Sequence, residues 1–152
     1  MDNIYIGSLP LSEDVEFLAS KGVKTVINMC REYPGPLDRY AAAGIKQYWF
    51  PTPDLSEPSR EDISTAVDCM HKRSSEYPGS AIFVHCKGGR GRAVSVVFCY
   101  LLQQGLSLAE AGAVIKKQRS IADVSTVTKY SVVQYFASEK EKYVNDTEIS
   151  LF

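Results

Sequence analysis

No stretch of the chain approaches the ~18 consecutive apolar residues that a membrane-spanning helix needs. An excess of charge of either sign is also lacking. The 17 lysines and arginines stand against 18 aspartates and glutamates, a net charge of −1, which argues against a surface built to coat nucleic acid. The four cysteines, Cys30, Cys69, Cys86 and Cys99, form no Cys-x-x-Cys pair and no zinc-like spacing, so no metal site is expected. Their pattern fits a reducing intracellular compartment. Met1-Asp2-Asn3 runs directly into Ile4-Tyr5-Ile6 with neither a basic leader nor an apolar signal core, so no targeting segment is expected in this chain. There is no internal repeat and no low-complexity tract. What is present is a hydrophobic content of 45% in 152 residues, enough for one buried core. We expect a single domain over residues 1–152 with a charged C-terminal tail from about residue 139, and a monomer.

Strand-like and helix-like segments alternate. Ile4 to Gly7, Val23 to Met29, Ile45 to Phe50 and Ala81 to Val84 have strand composition. Between them lie a helix capped by Ser12, a short one from Leu37 to Ala43, and one opened by Ser59 and Asp62 with Ile63, Ala66, Val67 and Met70 on one stripe. The run from Phe50 to Ser59 carries three prolines and is expected to be an exposed loop. After Ala81–Val84 come a glycine-rich loop, a helix burying Val94, Val97, Phe98, Leu101 and Leu102, and a second capping box at Ser107 and Glu110. A loop from Ile121 to Thr126 and a last helix with Val132, Val133 and Phe136 inward complete the chain. This alternation predicts an α/β domain with a mainly parallel central sheet flanked by helices.

The segment His85-Cys86-Lys87-Gly88-Gly89-Arg90-Gly91-Arg92-Ala93 falls between a buried strand and a helix N-terminus. There the backbone can aim several N–H groups at one anion, aided by the helix dipole. Gly88, Gly89 and Gly91 let it curl without Cβ clashes. A cysteine at the base of such a cradle is favoured as thiolate by amide donors and a nearby arginine. The planar fork of Arg92 can hold two phosphate oxygens. A Walker loop would need Ser or Thr after Gly-Lys, and a dinucleotide fingerprint would need a small residue where Val94 stands. The pattern therefore predicts Cys86 as nucleophile, residues 87–92 as phosphate cradle, and Arg92 as clamp. Asp54, on the proline-flanked loop, can protonate a leaving oxygen, with Glu57 as the fallback. Lys87 and Arg90 add charge at the pocket mouth, which suits a substrate with more than one negative charge.

His85-Cys86-(five residues)-Arg92 resembles the signature of the protein-tyrosine-phosphatase superfamily in its small dual-specificity branch. The chain from Ile4-Tyr5-Ile6-Gly7-Ser8-Leu9-Pro10 through Glu32-Tyr33 to the last helix is most similar there to the mitochondrial phosphatases that act on phosphatidylglycerophosphate. The resemblance implies cofactor-free, two-step phosphocysteine chemistry at Cys86 with Arg92 binding the phosphoryl group and Asp54 as general acid. It implies that His85 organises the loop and that Glu32 and Tyr33 order the loop or Arg92. The substrate it implies is an anionic phospholipid, phosphatidylglycerophosphate or a phosphoinositide, with a peripheral membrane contact. A phosphoprotein substrate of a dual-specificity protein phosphatase is the alternative, and a slow phosphate-binding module the second. Relatives carry Ser or Thr where this chain has Ala93, and Arg-Pro-x-x-Gln where it has Thr126-Val127-Thr128-Lys129. The first departure predicts slow release of phosphate from the cysteine.

Overall fold

The computed structural model describes residues 3–139. Four strands form one parallel sheet in the order β1-β4-β2-β3, with β1 Ile4–Gly7, β2 Val23–Cys30, β3 Lys46–Thr52 and β4 Ala81–His85. The two central strands are the most apolar. Every residue of β4 is buried, and all of β2 but Lys24, as strands covered on both faces require. Side-chain alternation divides them between two cores. Val26 and Phe83 face α1 (Val15–Ser20) and α2 (Leu37–Ala42), packing with Val15, Leu18 and Tyr40. Ile27, Ile82 and Val84 face the larger core, built with α3 (Arg60–Glu76), α4 (Arg92–Gln103) and α5 (Leu108–Gln118). A short α6 (Val124–Val127) follows, and residues 131–139 form α7. The expected tail lies outside the described residues beyond 139.

Two caps fall where the sequence places them. Ser59 accepts the Asp62 N–H at 3.1 Å, and Ser107 and Glu110 form a reciprocal box at 3.1 and 2.9 Å. Three expectations are corrected. Ser12 does not cap; it lies inside a 3₁₀ turn, Ser12–Asp14, and the preceding Leu11 N–H is taken by the Asp14 carboxylate at 2.8 Å. The loop expected from Phe50 begins after Thr52, because β3 is an edge strand and Pro51, lacking an N–H, is tolerated where one side needs no partner. Within the expected loop 121–126, Val124 starts the turn α6, capped by Asp123, whose carboxylate accepts the Thr126 N–H at 3.2 Å.

Parallel strands end at one edge, and the residues following those ends converge there. Cys86 follows β4, Glu32 follows β2, Asp54 follows β3, and Gly7 at the end of β1 abuts Gly89.

Candidate active site

The loop from Cys86 to Arg92 is held open from outside through its carbonyls. The Lys87 carbonyl accepts from the Leu9 N–H at 3.3 Å and the Arg90 carbonyl from the Asp123 N–H at 2.9 Å. Arg119 takes the two between them, its Nε donating to Gly89 O at 2.8 Å and its Nη2 to Gly88 O at 2.9 Å. His85 Nδ1 reaches Cys86 O at 3.4 Å. In a trans peptide the C=O and the following N–H point opposite ways. Five carbonyls engaged on the outer side therefore turn the N–H groups of residues 87–91 toward the inside, with Cys86 at the base. Gly89 is required at its position. Its φ is +65°, and a Cβ there would lie 2.6 Å from the Gly7 carbonyl oxygen and 2.7 Å from Arg119 Nη2.

Cys86 and Arg92 are each 3% exposed. Arg92 is fixed by five hydrogen bonds. Nη1 donates to Thr52 O at 2.7 Å, to Glu32 Oε2 at 2.9 Å and to Met29 O at 3.5 Å; Nη2 donates to Glu32 Oε1 at 2.7 Å and to Asp54 Oδ1 at 3.1 Å. None of these uses Nε. Hydrogen bonding from Arg92, above all, holds the Glu32 carboxyl down to about 2, against the opposing effect of burial. Behind the pair, burial and then the Glu32 charge push the Cys30 thiol up to about 12, so Cys30 is a neutral packing thiol. Burial draws His85 down to about 4, leaving a neutral ring stacked on Phe83. Because a carbonyl only accepts, the ring proton sits on Nδ1, and Nε2 is buried without a partner among the described residues.

The expected site residues therefore do not all meet. Cys86, the cradle, Arg92, Glu32 and Asp54 come together. Tyr33 does not join them: its hydroxyl donates to Pro10 O at 2.6 Å, and its carbonyl accepts from Asn28, which ties the segment after β2 to the segment after β1. Glu57 is also occupied elsewhere. It accepts from the Ser131 hydroxyl at 2.6 Å and the Val132 N–H at 2.7 Å, contacts that outweigh burial and hold its carboxyl below the usual range, which removes the fallback acid. Lys87 and Arg90 are exposed, line the cleft above Cys86, and have no salt-bridge partner among the described residues. That cleft encloses about 1140 Å³.

Ser56, Ser125, Thr126 and Tyr130 line the cleft with Cys86, but the hydroxyl nearest in sequence to the loop arginine is not aimed at the sulfur. Ala93 is buried, and Ser95 donates to Arg92 O at 2.6 Å, away from the sulfur. Thr128 is committed to Val124 O at 2.7 Å. The residues sequence reasoning missed are Arg119, clamping the loop from 30 positions away, and Tyr130, whose hydroxyl lies 3.6 Å from where a Gly91 Cβ would be. The only local signal for Arg119 is a cation just past the end of α5, which ordinarily reads as a helix-dipole partner.

A thiol seated in a ring of inward amides, with a bidentate-capable arginine and a loop carboxyl beside it, defines a phosphatase domain of the cysteine phosphate-loop class. The chain belongs to the PTP-SAK family, the Swiss Army Knife DSP-PTPase phosphatase domain, whose pattern matches residues 3–142. It is 38% identical over 103 residues to the phosphatidylglycerophosphate phosphatase PTPMT2 of Arabidopsis thaliana, covering 66% of this chain and 44% of that relative. It is 32% identical over 124 residues to human dual specificity phosphatase 28, covering 80% of this chain and 66% of that one. The chain thus spans less than half the length of the first of these relatives. Its fold superimposes on the crystal structure of PTPMT1 in complex with PI(5)P with a TM-score of 0.80, at 27% identity and covering 93% of this chain and 94% of that one. Among the described residues no helix is long and apolar enough to cross a membrane.

Proposed function

We propose that the chain hydrolyses a phosphomonoester on an anionic phospholipid, phosphatidylglycerophosphate first and a phosphoinositide second, through a phosphocysteine intermediate. In the first step the Cys86 thiolate attacks phosphorus. The S–P bond forms as the P–O ester bond breaks, and Asp54 gives its proton to the departing oxygen. In the second, water attacks phosphorus, Asp54 takes its proton, and the S–P electrons return to Cys86. Inward amides and Arg92 hold the equatorial oxygens as charge moves onto them. A phosphoryl group binding side-on would take Arg92 Nε and compete with Asp54 for Nη2. That competition would free the Asp54 carboxyl to face the departing oxygen.

The observation that carries the lipid reading is the pair of cations Lys87 and Arg90, without a salt-bridge partner among the described residues, on the rim of a cleft of about 1140 Å³. The cleft has room for a headgroup with a second anionic centre, and the pair supplies charge for it. The names of the PTPMT relatives point the same way. A second reading, dual-specificity protein phosphatase, is favoured by the likeness to dual specificity phosphatase 28. The deciding measurement is kcat/KM for phosphatidylglycerophosphate and phosphatidylinositol 5-phosphate in mixed micelles against phosphotyrosine and phosphothreonine peptides. The lipids are expected to win by at least tenfold. Lys87→Ala with Arg90→Ala is expected to remove that advantage while sparing p-nitrophenyl phosphate. Faster turnover of the peptides would hand the chain to the second reading.

A further inference from the structure

Of the large apolar side chains exposed among the described residues, two line the cleft of Cys86: Leu55 and Ile121. Leu55 follows Asp54 directly, is 95% exposed, and has φ +61°, a left-handed conformation that a branched side chain resists. The strain gains no internal packing for the leucine. It is held locally, with the Leu55 N–H donating to Asp54 Oδ1 at 3.0 Å, and its effect is to raise an apolar tip at the rim. Ile121, 47% exposed, rises from the segment between α5 and α6. On the same cleft lie the exposed cations Lys87 and Arg90, and Lys116, whose Nζ donates to Ala122 O at 3.0 Å. Both acidic groups on the same cleft face a cation, Asp54 hydrogen-bonded to Arg92 and Asp123 beside Lys116, which leaves Lys87 and Arg90 in surplus. The rim therefore presents apolar protrusions set in surplus positive charge. Such tips can be buried in a partner's pocket or in the acyl boundary of a bilayer, and the cations beside them, together with the phospholipid reading, favour an anionic bilayer.

We propose that Leu55 and Ile121 anchor the mouth of the cleft in an anionic phospholipid surface, with Lys87 and Arg90 against its headgroups. The inference rests on the phospholipid reading above, because it turns the mouth of the cleft toward the bilayer from which the substrate comes. It also places the acid-bearing loop at the interface.

The test separates docking from turnover. Vesicles of equal parts dioleoyl phosphatidylcholine and dioleoyl phosphatidylglycerol carry anionic charge but no phosphomonoester, so co-sedimentation reads docking alone. The parent is expected to sediment with them in a salt-sensitive manner and to ignore pure phosphatidylcholine. Leu55→Ser with Ile121→Ser is expected to weaken partitioning by about tenfold or more. Its melting temperature and far-ultraviolet circular dichroism should stay those of the parent, which excludes misfolding. Leu55→Trp should keep the parent's binding and give a blue-shifted emission on the anionic vesicles. Failure of the parent to bind, equal binding to neutral vesicles, or undiminished binding of the double variant each overturns the proposal. Loss of phosphopeptide turnover with vesicle binding intact would also overturn it and make the rim a protein-docking surface. Docking without lipid hydrolysis would sink the substrate reading and leave the anchor standing. Hydrolysis of a soluble short-chain phosphatidylglycerophosphate without docking would do the reverse.

Discussion

Arg92 and Asp54 share a hydrogen bond, and Arg92 and Glu32 share two, so substitutions at the two carboxylates should be separable by how they depend on pH. Glu32 is ionised throughout the working range, since Arg92 holds it down to about 2. Glu32→Gln is therefore expected to lower kcat/KM about tenfold, the weight of a weakened charge-assisted contact at a group that is 37% exposed, without changing the shape of the pH profile. Asp54→Asn is expected to remove the falling limb and to slow poor leaving groups by roughly a hundredfold, with little effect on an activated aryl phosphate. A falling limb that survives in Asp54→Asn would move the acid elsewhere, and Glu57 is already committed to Ser131 and Val132. Ala93 bears on the second step. A hydroxyl there could stabilise the departing sulfur by roughly 1.5–3 kcal/mol, so its lack should slow release ten- to a hundredfold. Rapid mixing with an activated aryl phosphate is expected to give a burst near one equivalent and then slow turnover, and Ala93→Ser should raise the steady rate without changing the burst rate. With no burst, Tyr130→Phe becomes the informative variant, because its hydroxyl lies beside Gly91. The meeting of Cys86 and Arg92 at one cradle was legible because it is local, seven consecutive residues on one turn. Arg119 and Tyr130 were not, because what they do depends on segments brought back by the fold.

At the level of elements, the anion cradle is a strand-to-helix turn whose outer face is bonded by three separate parts of the chain. Leu9 comes from the segment after β1, Arg119 from the end of α5, and Asp123 from the turn before α6. Arg119→Ala would free two adjacent carbonyls and let their peptide planes rotate, so the N–H groups of Gly89 and Arg90 would no longer converge. Orthovanadate affinity is expected to fall about tenfold or more, with kcat falling alongside, and Arg119→Lys should recover little because a single ammonium cannot span both carbonyls in a fork. Unchanged vanadate inhibition in Arg119→Ala would show that the cradle holds its shape without the clamp. Elements defined by their own residues, such as the capped starts of α3 and α5 and the fully apolar β4, were readable from the sequence. The errors share a cause: Ser12 lost its cap to Asp14, Pro51 stayed in β3 because that strand lies at the sheet edge, and α6 was stabilised by Asp123 in a stretch with no helical periodicity. Each outcome was decided by position in the fold, where local propensity is a weak prior.

Across the whole molecule, the central strand β4 carries a neutral histidine into the core and delivers the cysteine one residue later, which couples global stability to the site. Burial lowers His85 from its ordinary 6.5 to about 4, so between those values the unfolded chain binds a proton that the folded one refuses. Its stabilising contribution is complete above pH 6.5 and is lost as pH falls toward about 4, at up to roughly 1.4 kcal/mol per pH unit. Glu32 acts in the same direction but lower down: its depressed folded value gives stability present above 4.5 and lost only as pH falls toward about 2. Urea unfolding between pH 7 and 5 therefore reads His85 nearly alone. The midpoint of the parent is expected to fall steadily across that range, and that of His85→Gln to fall much less. Nuclear magnetic resonance gives a check that does not depend on the variant folding, since only His71 and His85 contribute imidazole signals. The His85 ring should remain neutral at pH 5, with its proton on Nδ1 toward the Cys86 carbonyl. A His85 signal that titrates near 6.5 in the folded protein would break the link, and acid loss of activity would then have to come from the cleft rather than from the core.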